Sequence, residues 1–173
     1  MLETTRCYLC GAMDFSPDYG VGWREKIMAD LSSYGITWLN PCNKPTVHAP
    51  EGPDTYAKLR DAKERGDYDY VHDIMQPIRC IDLRLVDVAD FLIVHIDLRV
   101  PMLGTVEEIT TANRSKKPIL VHVEQGKASI SNWLFAMLPH SMIFSTWDEL
   151  YRYLEDVNAG IRTDKRWIFF NLE

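Results

Sequence analysis

The sequence predicts an α/β fold, built on a five-stranded parallel sheet with helices on both faces. Short apolar runs recur along the 173 residues, and several have consecutive rather than alternating apolar residues. That pattern is typical of strands that are covered on both faces. Segments with helical periodicity separate the runs, as in alternating α/β domains. The length suits one well-buried domain, so we expect residues 1–173 to form a single domain.

Each element follows from one of these runs. Strands are expected at 6–12, 35–40, 90–96, 118–123 and 141–145, of which DFLIVHI at 90–96 is the most hydrophobic. Helical segments are expected at 22–35, 54–76, 80–89, 104–115, 129–138 and 146–157. In the strand order 2-1-3-4-5 the fold is flavodoxin-like (Rossmann-like). A ligand crevice then opens at the carboxyl ends of strands one and three.

Charge and composition exclude several functions. The net charge is -6 and the basic residues form no stripe, so a nucleic-acid polymer is not the expected partner. No run approaches the roughly 18 apolar residues of a membrane span. The first residues lack the apolar core of a signal peptide, and the four cysteines are therefore expected to be reduced in the cytoplasm.

Neither a metal nor a cofactor is expected. Cys7 and Cys10 have C-x-x-C spacing, but they lie inside a predicted strand without a second pair, so they are interpreted as core residues. His95 and His122 lie inside predicted strands and are interpreted as core histidines, while His48 lies in a loop. The first turn matches neither glycine-rich phosphate-binding fingerprint.

Two further segments attract attention. Residues 41–53 carry four prolines and a glycine, and we interpret them as an ordered loop or a lid beside the carboxyl end of strand two. The aromatic C-terminal tail, residues 160–173, is expected to dock on its own domain or on a neighbouring subunit.

Glu108 has two interpretations. Thr105-x-x-Glu108 matches a capping box, in which the threonine caps the helix and the glutamate reaches back. Alternatively, Glu108 is a carboxylate that the helix N-terminus keeps ionised, and such a group can be the nucleophile of a retaining glycosyl transfer. The adjacent Glu107 points about 100° away and is interpreted as solvated.

Other polar residues lie near the same crevice. Asp82 belongs to a helical segment with Asp87 and Asp90, which we interpret as surface acids. The expected core side of that segment is Leu85, Val88 and Ala89. Tyr8 lies within strand one, where its hydroxyl needs a hydrogen-bond partner. A carboxylate across the crevice would supply that partner.

Three segments together resemble one known family. They are CYLCGAM at 7–13, CIDLRLVDVADFLIVHI at 80–96 and LGTVEEI at 103–109. Their order and spacing resemble the nucleoside 2-deoxyribosyltransferase superfamily, which includes deoxynucleotide N-glycosidases. The resemblance spans roughly residues 6 to 158.

The resemblance implies three catalytic roles. Glu108 matches the nucleophile that attacks the anomeric carbon, and Tyr8 matches the tyrosine that orients it. Asp82 matches the acid that protonates the leaving base. The remaining site residues it suggests are expected to bind substrate: Gly11, Asp14, Asp97, Gly104 and Thr105.

The chain also departs from the family pattern. Thr110 stands where members often have glycine, and Ala12, Met13 and Asp14 replace the serine and the basic or glycine residues of nucleotide-hydrolysing members. An acid at position 14 repels phosphate, which favours a nucleoside substrate. Since family members often complete their sites from a neighbouring subunit, a homo-oligomer is expected.

The expected function is therefore cleavage of the N-glycosidic bond of a 2′-deoxynucleoside, with transfer of the sugar to another nucleobase. Its partners would be a small nucleoside or nucleotide and a free base. Two alternatives remain open: hydrolysis of deoxynucleoside 5′-monophosphates, and a non-catalytic module that senses nucleosides or nucleotides. A flavin-binding domain is disfavoured because the first loop is not rich in serine and threonine.

Overall fold

A single parallel sheet organises the protein. The computed structural model describes residues 1–44, 49, 51–162 and 164–167. In these residues the sheet has five strands: β1 Arg6–Gly11, β2 Thr37–Leu39, β3 Phe91–Ile96, β4 Ile119–Val123 and β5 Ile143–Phe144. Their order is β2-β1-β3-β4-β5, and every neighbouring pair is parallel. The predicted sheet and strand order are confirmed.

Helices cover both faces of the sheet, as expected for a flavodoxin-like fold. Those in the described residues are α1 Val21–Asp30, α2 Pro53–Glu64, α3 Tyr68–Val88, α4 Leu103–Arg114, α5 Asn132–Met137 and α6 Trp147–Asn158. Helices α1 and α6 pack on one face and α3, α4 and α5 on the other, while α2 packs against α3. No helix in the described part of the chain is long and apolar enough to cross a membrane.

The strands divide their side chains between these two faces. In β1, Cys7 and Leu9 enter the core beneath α1 and α6, whereas Tyr8 and Cys10 enter the core beneath α3 and α4. This alternation follows from the two-residue period of a strand. It separates the two cysteines of the C-x-x-C pattern, and both are buried and free, as core residues are.

Two helices precede strand three as predicted, but α3 corrects the position of the break, which lies at 65–67 and not at 77–79. Helix α3 continues through Pro77, although a proline inside a helix removes one hydrogen bond. Its buried residues are Ile78, Asp82 and Val86, four residues apart, so one continuous stripe faces the core. We infer that burial of this stripe outweighs the lost hydrogen bond.

The predicted core side of α3 was wrong in part. Ala89 is buried in the core and the half-buried Leu85 packs against that core, as predicted, whereas Val88 is only half-buried. The C-terminal end of α3 is capped by the side chain of Lys117, whose Nζ donates to the carbonyls of Val86 at 2.8 Å and Asp87 at 2.6 Å. A cation at this position stabilises the negative end of the helix dipole.

The described part of the C-terminal tail docks on the protein's own core. Trp167 is fully buried, its ring centroid lies 5.2 Å from that of Phe91, and its Nε1 donates to the Tyr153 hydroxyl at 2.9 Å. Residues 168–173 of the predicted aromatic tail lie outside the described residues. The same holds for His48 and its neighbours in the proline-rich loop.

Candidate active site

A cavity of about 470 Å³ opens at the carboxyl end of β1, between α3 and α4. Its lining includes Tyr8, Asp82 and Glu108, the three residues predicted to be catalytic. Tyr8 comes from β1, Asp82 from the buried stripe of α3 and Glu108 from α4. The fold therefore brings together three residues that are up to 100 positions apart in the chain.

Glu108 is held by β1 and does not cap its own helix. Its Oε1 accepts a hydrogen bond from the Tyr8 hydroxyl at 2.6 Å, and its Oε2 accepts one from the Cys10 thiol at 2.9 Å. The capping-box hypothesis is wrong, since Met102 is the N-cap and no side chain caps the helix. Thr105 is buried in the first turn and Glu108 lies in the second, where the dipole effect has faded.

The ionisation of Glu108 is set by opposing effects. Burial raises its pKa, while the hydrogen bonds from Cys10 and Tyr8 stabilise the carboxylate and act in the opposite direction. Burial also raises the pKa of Tyr8 and of Cys10 well above their usual values. Both groups therefore remain protonated at neutral pH, and Glu108 is positioned by hydrogen bonds from two uncharged donors.

A buried guanidinium fixes the strand that carries these donors. Arg24 of α1 is fully buried and donates to the carbonyls of Leu9 at 3.1 Å, Gly11 at 2.8 Å and Gly20 at 2.8 Å. Its positive charge also lowers the pKa of Glu108. Gly11 must be a glycine here, because a Cβ would lie 2.9 Å from the Trp23 ring. Gly11 also lines the cavity.

Asp82 occupies a different electrostatic environment. It is only 8% exposed, and its Oδ1 lies 2.8 Å from Lys44 Nζ. Lys44 also contacts Glu51, which accepts a hydrogen bond from the Tyr56 hydroxyl. Burial and the nearby charge of Glu51 raise the pKa of Asp82 to about 7, whereas Lys44 acts to lower it. Asp82 is therefore a carboxyl that can carry a proton at neutral pH.

Sequence reasoning missed three of these residues. Cys10 was interpreted only as a core cysteine, although its position two residues after Tyr8 already places both on one face of the strand. Lys44 and Glu51 lie in the proline-rich segment predicted as a lid, and both side chains are almost fully buried beside Asp82. No spacing in the sequence links these two residues to Asp82.

Four of the five residues predicted to bind substrate line the cavity, and Asp97 does not. Gly104, Thr105 and Asp14 line the cavity, and Gly104 presents open backbone, since a Cβ there would meet no atom within 4 Å. Asp14 lies 3.4 Å from Lys63 Nζ, so its charge is partly compensated. Glu107, expected to be solvated, lines the rim and forms an ion pair with Arg79.

Asp97 is not part of this cavity. Its carboxylate accepts hydrogen bonds from Arg99 at 2.7 Å and Gln125 at 2.7 Å, and the hydrogen bonds from Arg99 hold its pKa well below the usual range. Asp97 lines a separate cavity of about 190 Å³, together with His95. The structure thus separates Asp97 from Glu108, Asp82 and Tyr8.

Comparison with solved structures identifies the fold. No protein-family model and no curated protein sequence matches the chain. A 2-deoxyribosyltransferase from the psychrotolerant bacterium Bacillus psychrosaccharolyticus is similar in structure, with a TM-score of 0.55 and 18% identity. The alignment covers 84% of this chain and 90% of that one. This chain has the 2-deoxyribosyltransferase fold.

A second similar structure is a CMP N-glycosidase from Clostridium botulinum, with a TM-score of 0.49 and 14% identity over 87% of this chain and 98% of that one. The resemblance inferred from three short motifs is thus confirmed at the level of the 2-deoxyribosyltransferase fold. Fold alone does not assign an activity.

Proposed function

We propose that this protein cleaves the N-glycosidic bond of a 2′-deoxynucleoside and transfers the deoxyribosyl group to another nucleobase. One observation carries the proposal: the Glu108 carboxylate is held by Tyr8 and Cys10 in a cavity that also contains Asp82. Such a site joins a positioned anion to a carboxyl that can donate a proton. Those are the two groups that a retaining glycosyl transfer needs.

In the proposed first step, a Glu108 oxygen attacks the anomeric carbon C1′ and forms a deoxyribosyl ester. The C1′–N bond breaks, and its electron pair stays on the base nitrogen. The proton of Asp82 passes to the departing base, leaving the Asp82 carboxylate. In the second step an acceptor base attacks C1′, Glu108 departs as a carboxylate, and Asp82 recovers a proton from the acceptor.

The pKa values of the two carboxyls suit this division of work. At neutral pH Asp82 is about half protonated, because its pKa is about 7. Burial raises the pKa of Glu108, while its hydrogen bonds from Cys10 and Tyr8 act in the opposite direction and favour the ionised form. Two carboxyls whose environments differ in this way can serve as acid and as nucleophile.

The charges in the cavity favour a nucleoside over a nucleotide. Glu51, Asp82 and Glu108 line it, and Lys44 is the cation that contacts two of these carboxyls. A phosphate dianion would add negative charge beside them, which costs free energy at short range. A neutral deoxynucleoside avoids this repulsion.

Hydrolysis of a 5′-monophosphate is the second candidate, and two cations near the mouth favour it. Lys63 is 40% exposed at its side chain and pairs only loosely with Asp14, while Arg79 pairs with Glu107 at the rim. Either side chain could break its ion pair and bind a phosphate instead. Transfer and hydrolysis would share the deoxyribosyl ester and differ in the acceptor.

A homo-oligomer remains part of the proposal. Leu103 and Phe15 line the mouth of the cavity and are 87% and 59% exposed. Large exposed apolar side chains beside a cavity are suited to contact with another surface. A neighbouring subunit would supply that surface.

A chromatographic assay tests the proposal. Purified protein is incubated with 2′-deoxynucleosides or their 5′-monophosphates, with and without an acceptor base. A new nucleoside that appears only with the acceptor supports transfer, whereas free base released without it supports hydrolysis. If no substrate is consumed, the enzyme proposal fails. A substrate that then raises the melting temperature would favour the sensing module.

A further inference from the structure

A second polar cluster lies at the same edge of the sheet, on the opposite face from Glu108. His95 at the end of β3 is in register with His122 of β4, and their Nδ1 atoms are 2.9 Å apart. His95 lies two residues after Ile93 in the strand, so both side chains point to the same face, beneath α1 and α6. Glu124, two residues after His122, completes a group whose ligand atoms lie within 4.8 Å of one another.

Aromatic rings enclose the two histidines. The His122 ring stacks on Trp147 with centroids 4.0 Å apart, and the His95 ring lies 5.3 Å from that of Trp23. Burial lowers the pKa of both imidazoles to about 4, so both are neutral at pH 7. A neutral imidazole has one N–H and one lone pair, so one ring donates and the other accepts in this contact.

We propose that His95, His122 and Glu124 bind one divalent transition-metal ion of the zinc class. Imidazole nitrogens with a carboxylate form a typical ligand set for such ions. Two nitrogens that are each about 2.0–2.1 Å from a tetrahedral ion lie about 3.3 Å apart. The Nδ1–Nδ1 distance therefore has to increase by a few tenths of an ångström, and the rings have to turn so that both lone pairs point to the ion.

Binding requires one change of tautomer. The imidazole that donates its Nδ1 proton to the other ring must carry that proton on Nε2 instead. Both Nδ1 lone pairs then face the ion, and no net proton is released. Glu124 is exposed, so its carboxylate can turn toward the ion and become the third ligand.

A cavity adjoins the cluster on the side of His95. The cavity of about 190 Å³ is lined by His95 and by two acids, Asp18 and Asp97. Asp97 is engaged by Arg99, so we do not count it among the ligands. Because Glu108 works on the other face of the sheet, the ion would join the ends of β3 and β4 and would not contact the substrate.

Zinc binding is measured by calorimetry on chelator-treated protein, and copper(II) is used as a quencher of tryptophan fluorescence, since Trp23 and Trp147 lie beside the two histidines. We expect zinc to bind with 1:1 stoichiometry, and His122→Asn and Glu124→Gln each to weaken binding by about tenfold or more. Copper should quench the tryptophan signal of the original protein and much less that of His122→Asn. His140→Asn, which alters an exposed histidine outside the cluster, is the matched control.

Glu124→Gln decides the case if His122→Asn fails to fold, because Glu124 is exposed. Unchanged zinc binding in Glu124→Gln, or loss of binding in His140→Asn, would overturn the proposal. So would the absence of zinc binding by the original protein. None of these outcomes depends on deoxyribosyl transfer, so the two proposals can fail separately.

Discussion

The two faces of one sheet edge carry different chemistry. Beneath α3 and α4, Glu108 and Asp82 line an open cavity, and burial raises the pKa of both carboxyls, that of Asp82 to about 7. Beneath α1 and α6, His95 and His122 are enclosed by aromatic rings and are neutral. Burial acts on both pairs and disfavours the charged form in each. It therefore raises the pKa of the carboxyls and lowers the pKa of the imidazoles.

A parallel sheet can separate two sites because alternate residues of one strand point to opposite faces. Tyr8 and Cys10 point to the first face and Cys7 and Leu9 to the second, so a shift of one residue moves a side chain from one site to the other. Changes on the first face should therefore alter turnover. Changes at neighbouring positions on the second face should not.

The largest effect is expected for Glu108→Gln. The amide cannot form the sugar ester, so turnover should fall by about a thousandfold or more. The fold should persist, since Glu108 does not cap its helix. Product chromatography and the melting temperature are the measurements, with Glu155→Gln, at an exposed position of α6, as the control. Residual activity within tenfold of the original would remove Glu108 as nucleophile.

Asp82→Asn should reduce turnover by about a hundredfold, the usual contribution of a general acid. In the original protein, activity should rise as Glu108 ionises and fall as Asp82 loses its proton near pH 7, since its pKa is about 7. The variant should lose the alkaline fall. A pH–rate profile measures this, with exposed Asp87→Asn on the same helix as the control. An unchanged alkaline limb would contradict the role of Asp82.

Cys10→Ala should reduce turnover by about tenfold, the equivalent of about 1.4 kcal/mol for one hydrogen bond to a charged group. Removal of this donor raises the pKa of Glu108, so the acidic limb of the pH–rate profile should move to higher pH. Cys10→Ser should restore the limb, because a hydroxyl also donates. Cys7→Ala, on the other face of β1, is the control. Equal shifts in the Cys10→Ala and Cys7→Ala variants would mean that the effect is only structural.

The smallest effect is expected for Lys44→Met. Loss of this ammonium raises the pKa of Asp82, because Lys44 favours the ionised carboxyl. More Asp82 then keeps its proton at pH 8, and turnover there should rise about threefold relative to pH 6. The same profile in Lys58→Met, at an exposed position of α2, provides the comparison. A shift of the alkaline limb to lower pH would refute the proposed effect of Lys44 on Asp82.

Much of the fold followed from local sequence. All five strands were predicted within three residues at each end, because buried parallel strands are apolar on consecutive positions. The break predicted between the helical segments 54–76 and 80–89 was misplaced: α2 ends at Glu64, and the buried stripe of α3 continues through Pro77. The capping box was wrong for a similar reason: the spacing was present, but the helix begins two residues before Thr105.

The sequence predicted five strands and, for a flavodoxin-like strand order, the location of the crevice, while the resemblance supplied Glu108, Asp82 and Tyr8. Short-range patterns and a resemblance carried by three motifs sufficed for these. Only the tertiary structure decided that Cys10 is the second donor to Glu108, that Lys44 and Glu51 surround Asp82, and that His95 meets His122. Cys10 and Glu108 are 98 positions apart in the chain, and His95 and His122 are 27 positions apart. Burial and charge at such contacts arise from packing, which no local pattern encodes.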